Sequence, residues 1–142
     1  METKRSVVVL DDCETDQFFL RRAVDGTHWF SEVEQFVDPR EALAFLLSRK
    51  INSTGAAIDL LLLDFRMPHL NGVQFLQQVQ VCKLGELIKS VAVMMTVPLL
   101  QCDADAFRNA HQDVHFLEKP LQRDALGSII GDTEEQPLQA VS

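Results

Sequence analysis

Five polar side chains stand where expected strands stop. Asp11 and Asp12 follow residues 6–10, Asp64 follows the leucines 60–63, Thr96 follows residues 90–95, and Lys119 ends residues 113–118. Three carboxylates brought together repel and are stable only with a cation. Oxygen donors without His or Cys suit a hard divalent ion, and few ligands with room for water suit Mg²⁺, with Mn²⁺ as the alternative. A carboxylate ionised at neutral pH needs no general base to act as a nucleophile. The set therefore suits phosphoryl transfer to Asp64, giving an aspartyl phosphate, with Lys119 and Thr96 binding the remaining phosphoryl oxygens. Taken singly, each residue has a plainer reading. An Asp after a strand is often a helix N-cap, a lone Thr is unremarkable, and a lone Lys is usually a surface residue. Their joint occurrence at strand ends carries the chemical reading.

The elements must deliver these residues to one edge. Leu60 to Leu63 is short and wholly apolar, as in a strand buried on both faces of a parallel sheet. Met67-Pro68 and Asn71-Gly72 then force a turn. Strands are expected at residues 6–10, 29–37, 60–63, 90–95 and 113–118, with 29–37 at an edge because its pattern is mixed. Thr15 or Asp16 can cap a first helix, with Phe19, Leu20, Ala23 and Val24 inward and Asp25-Gly26 as its stop. Further helices are expected at 39–49, 73–81, 103–110 and 122–130, and a loop at 50–58. Five alternating strands and helices make an α/β, flavodoxin-like, doubly wound parallel sheet of order 2-1-3-4-5. All strand carboxyl ends then lie on one edge, with the first and third strands adjacent. One domain is expected over residues 1–131, with 132–142 a polar tail.

The totals narrow the partners. Of 142 residues, 21 are acidic and 13 basic, for a net charge of -8, which argues against nucleic acid as a direct partner. No apolar run reaches the roughly 18 residues of a membrane span, and no signal-peptide pattern opens the chain, so a cytoplasmic location is expected. Cys13, Cys82 and Cys102 share no metal or disulfide spacing, and Cys13 reads as a small core residue. His28, His69, His111 and His115 read as surface residues.

The motifs Val7-Val8-Val9-Leu10-Asp11-Asp12, Leu60 to Met67-Pro68 with Asn71-Gly72, Met94-Met95-Thr96 and Phe116-Leu117-Glu118-Lys119-Pro120 occur in the order and spacing of one family. The chain resembles the receiver domain of two-component response regulators over nearly its whole length. The resemblance implies that Asp64 takes a phosphoryl group from a histidine kinase or phosphotransfer protein. It implies that Asp11, Asp12, Asp64 and the backbone carbonyl of Arg66 hold Mg²⁺. It implies that Thr96 and Phe116 move together on phosphorylation, and that Lys119-Pro120 is cis. The output is then a protein contact on the fourth helix, fifth strand and fifth helix, a face also open to homodimer formation. Asp103, Asp105, Arg108, Arg123 and Asp124 are its candidate contacts.

Three features depart from the family pattern. Val97 replaces a usually small residue, Pro98 follows it, and the switch aromatic is Phe116 rather than tyrosine. Val97 and Arg66 are expected to slow water attack and lengthen the phosphoryl lifetime. Two rivals remain: a phosphorylation-independent adaptor of the same fold, and an aspartyl-nucleophile phosphatase. The phosphatase would need an Asp where Arg66 stands.

Overall fold

The computed structural model describes residues 5–52, 57–68 and 70–133. His69 and residues 134–142, most of the expected tail, lie outside the described residues. The elements are β1 (Ser6–Leu10), α1 (Glu14–Thr27), β2 (Glu32–Phe36), α2 (Pro39–Asn52), β3 (Ile58–Asp64), α3 (Gly72–Val81), β4 (Ile88–Met95), α4 (Gln101–Ala110), β5 (Val114–Glu118) and α5 (Arg123–Thr133). One turn of 3-10 helix, Gly85–Leu87, precedes β4. The sheet is parallel and ordered β2-β1-β3-β4-β5, the expected doubly wound arrangement.

Strand alternation divides the core into two layers. Val8, Leu10, Leu61, Leu63, Val91 and Val93 face α2, α3 and α4. Val7, Val9, Leu60, Leu62, Ala92 and Met94 face α1 and α5. Because helices cover both faces, β1 and the leucines of β3 are buried throughout, whereas the edge strand β2 is half-buried.

Several local expectations are corrected. Cys13, not Thr15 or Asp16, caps α1: its sulfur accepts from the Asp16 N–H at 3.5 Å, and the residue is exposed rather than in the core. The helix does not stop at Asp25-Gly26 but continues to Thr27, ending with His28 in the left-handed region at φ 61°. Leu20 and Val24 are buried, while Phe19 faces outward beside an exposed Phe18. The α2 helix runs three residues past Arg49, to Asn52, shortening the loop. α4 begins at Gln101, two residues before Asp103. α5 runs from Arg123 to Thr133, three residues past the expected helix end at 130. His111 is buried: its Nε2–H donates to the Ile88 carbonyl at 2.9 Å, and its Nδ1 accepts from the Asp113 N–H at 3.1 Å. It is a bracket joining the start of β4 to the approach to β5, fixed in one neutral tautomer.

Candidate functional site

The two acids that bound the leucines of β3 do different work. Asp59 lies at the amino-terminal side, where it accepts from the Ser6 N–H at 2.8 Å and pairs with Lys89 at 3.3 Å. It ties strands together. Asp64 closes β3 at the carboxyl edge and is 8% exposed. The chain leaves the sheet immediately afterwards. The Phe65 N–H still donates to the Met94 carbonyl at 3.0 Å, and the Gly72 N–H reaches back to the Phe65 carbonyl at 2.9 Å. Asn71 caps α3 in a reciprocal box with Gln74, at 2.9 Å in both directions. The loop carrying Arg66 and Met67 is thus pinned at both ends. Met67 is buried and Arg66 is exposed.

Leu10 is in register with Leu63, so the residues that follow β1 arrive beside Asp64. Asp11 is fully buried. Its Oδ1 accepts from the Cys13 N–H at 2.9 Å and its Oδ2 from Lys119 at 2.7 Å. Its backbone is held as well. The Asp11 N–H donates to the Phe36 carbonyl, and the buried Gln17 amide bridges the Asp11 and Phe36 carbonyls at 3.0 and 2.7 Å. Gln35 continues the network by donating to the Gln17 side chain at 2.7 Å. Asp12 is exposed, yet one oxygen each of Asp11, Asp12 and Asp64 lies within 4.8 Å of the others. These oxygens come from carboxylates alone, with no nitrogen or sulfur donor, which fits Mg²⁺ or Mn²⁺.

Lys119 reaches this group from the far side of the sheet. β5 delivers it, its N–H donates to the Met95 carbonyl at 2.9 Å, and the peptide to Pro120 is cis, as the resemblance implied. Its Nζ lies 2.7 Å from Asp11 Oδ2, 2.7 Å from Asp16 Oδ2 and 3.1 Å from Asp64 Oδ1. Asp16 was read from sequence only as a possible cap. An acid in the first turn of the helix that follows Asp11-Asp12 was the available signal.

The electrostatics follow from this crowding. Burial, then repulsion from Asp11, raises the Asp64 pKa to about 6 despite the opposing pull of Lys119. Asp11 is likewise pushed up, by burial first. Burial would lower Lys119, but its hydrogen bonds to Asp11, Asp16 and Asp64 outweigh that and raise it. At pH 7 Asp64 is still mostly ionised and Lys119 is fully charged.

Thr96 follows β4 and is exposed. With Asp16, Phe19, Leu20, Lys119, Pro120 and Leu121 it lines a cavity of about 460 Å³ that opens beside the acids. Val97 is 50% exposed on the same edge. Phe116 is half-buried and in register with Val93, three residues before Thr96. Its ring meets Phe107 edge-on at 5.9 Å, and Phe107 meets Phe65 at 5.8 Å. The Arg108 guanidinium lies 5.0 Å from the Phe116 centroid. Of the other expected contacts on that face, Asp105 and Asp124 are exposed and Asp103 is half-buried, while Arg123 turns away to donate to the Gly26 carbonyl at 3.3 Å.

A five-stranded parallel sheet with an acidic cluster at its carboxyl edge and a lysine drawn into it defines an α/β protein of the doubly wound class. Residues 7–131 match the response regulator receiver domain family, and the chain belongs to that family. No curated protein matches it in sequence. Its fold is shared with a two-component response regulator from Cytophaga hutchinsonii, at 20% identity over 92% of this chain and 97% of that one, with a TM-score of 0.76. A two-component response regulator from Legionella pneumophila is similar at 22% identity, covering 94% of this chain and 100% of that one, with a TM-score of 0.73. The chemotaxis protein CheY4 of Vibrio cholerae is similar at 20% identity, covering 93% and 100%, with a TM-score of 0.72.

Proposed function

We propose that this receiver accepts a phosphoryl group on Asp64 from the phosphohistidine of a histidine kinase or phosphotransfer protein, and signals through a contact with a downstream protein. The observation that carries the reading is the buried Asp64 carboxylate, held at 3.1 Å from Lys119 and within 4.8 Å of the Asp11 and Asp12 oxygens. A Mg²⁺ ion bound by Asp11, Asp12, Asp64 and the Arg66 carbonyl would supply charge neutralisation of the phosphoryl oxygens. The chain's own residues do the rest. An Asp64 oxygen attacks phosphorus, the phosphorus–nitrogen bond breaks, and the leaving imidazole takes its proton from solvent. Lys119 offsets the charge of the arriving group, and Thr96, in the cavity wall, offers a hydroxyl to a phosphoryl oxygen. Asp11, locked by the Cys13 N–H and by Gln17, keeps the cluster from relaxing apart.

The output reading places Thr96 and Phe116 as the residues that register phosphorylation, and the α4–β5–α5 face as the contact surface, for a target or a second copy. The aromatic chain from Phe65 to Phe107 to Phe116 supports it, because it joins the residue after Asp64 to that face. A cytoplasmic location is consistent with three free cysteines and with the absence, among the described residues, of any helix long and apolar enough to cross a membrane.

Incubation with Mg²⁺ and acetyl phosphate tests the reading. Asp64 gains the phosphoryl group, acetate departs, and intact-mass analysis is expected to show one stable phosphoryl adduct that Asp64→Asn abolishes. An unlabelled wild type would favour the adaptor, and rapid turnover of the donor the phosphatase.

A further inference from the structure

The third partner of Lys119 has no role in the reading above. A lysine ammonium carries three hydrogens and no acceptor. Here two are donated, to Asp11 and Asp16 at 2.7 Å each, and Asp64 lies against the ammonium as an ion pair at 3.1 Å. The lysine side chain is only 12% exposed, so little of it is left to solvent. A phosphoryl oxygen that approaches Lys119 therefore meets an ammonium already enclosed by three carboxylates, and competes with them for its N–H groups.

The three carboxylates are not equally free to yield. The Asp11 side chain is wholly buried and its other oxygen is bound by the Cys13 N–H, so it has no solvent to turn to if Lys119 lets go. Asp64 is the reacting group and cannot turn away. Asp16 lies in the first turn of α1 with its side chain 40% exposed, and can exchange Lys119 for water. Ion pairs that reach solvent are the weakly held ones.

We propose that Asp16 is a positioning residue that holds one N–H of Lys119 in the resting protein and yields it when the phosphoryl group arrives. The proposal rests on Asp64 being the acceptor. It gives Asp16 two effects of opposite sign. Its negative charge near the acidic cluster strengthens attraction for a divalent cation. Its hold on Lys119 and its repulsion of the donor slow phosphorylation once that cation is bound.

Asp16→Asn separates the two. Mg²⁺ affinity, read by calorimetry without any phosphodonor, is expected to fall about threefold. The initial rate of labelling by acetyl phosphate at saturating Mg²⁺ is expected to rise about three- to tenfold. Asp16→Glu, which keeps the charge and can still reach Lys119, is expected to restore both values toward wild type. A merely structural aspartate would move both measurements in the damaging direction and lower Tm. Labelling of Asp16→Asn at or below the wild-type rate, with wild type labelled normally on Asp64, overturns the proposal alone. Absence of labelling in wild type overturns the functional reading on which it stands.

Discussion

Asp64 illustrates how much one residue's environment decides. Its ordinary pKa is 3.8, and burial with a second carboxylate nearby raises it to about 6. A carboxyl raised on folding binds its proton more tightly in the folded state. Its contribution to stability is complete below 3.8, declines as pH rises, and is gone above about 6. Without divalent ions, Asp64→Asn is therefore expected to stabilise the fold at pH 7–8 by on the order of 1–2 kcal/mol, after allowance for the lost Lys119 contact. The gain disappears below pH 4, and denaturant unfolding at the two pH values, with chelator present, reads it directly. Arg66 and Val97 belong to the same scale. Both are exposed on the edge that carries Asp64, where a long cation and a β-branched side chain can obstruct water. Dephosphorylation of Arg66→Ala is expected to be severalfold faster than wild type at equal Mg²⁺, and an unchanged rate would discard the role. Sequence alone named Asp11, Asp12, Asp64, Thr96 and Lys119, because each is a polar residue at the carboxyl end of an expected strand. It read Asp16 only as a possible cap and did not name Gln17, because both lie in an amphipathic helix where polar residues are ordinary.

At the scale of elements, the site depends on how closely α3 and α4 approach the end of β3. The α3 helix starts at Gly72. A Cβ there would sit 3.1 Å from the Phe107 ring and 3.2 Å from the Asp64 carbonyl oxygen. Phe107 is fully buried and wedged between Phe65 and Phe116, so it has little room to retreat. Gly72→Ala is expected to cost about 1–3 kcal/mol by overpacking, measured by urea denaturation. It should also slow labelling of Asp64, since the strain falls on that residue's own carbonyl. Full stability in the variant would show that the ring yields freely. Element types were legible in the sequence because apolar runs and helical stripes differ in period. Boundaries were less so. The α1 helix passes through Gly26, whose neighbour Arg123 packs its stem 3.1 Å from where a Cβ would stand. Tertiary packing there overrode a local stop signal. His111 was misread for a similar reason, since its partner Ile88 is remote in sequence and only the fold brings them together.

For the whole molecule, the arrangement leaves three carboxylates, Asp11, Asp16 and Asp64, around the ammonium of Lys119, with Asp12 beside Asp11 and Asp64. A divalent ion that binds only the folded cluster should stabilise the entire chain through linkage. At a hundredfold excess over its Kd, Mg²⁺ is expected to add about 2.7 kcal/mol, or roughly 10 °C in Tm for a chain of this size. Asp64→Asn should lose most of that increment. KCl at matched ionic strength should reproduce little of it, which separates site binding from screening of the net charge of -8. By itself the sequence determined the strand and helix order, the parallel sheet and the identity of the acids, hydroxyl and lysine at its carboxyl edge. Those follow from periodicity and from the handedness of crossovers, which are local or nearly local properties. Only the tertiary structure decided that Lys119 is shared among three carboxylates, that Asp16 is one of them, and that an aromatic chain runs from Phe65 to Phe116. Such contacts join residues up to 108 positions apart, and their geometry depends on how the packed layers meet.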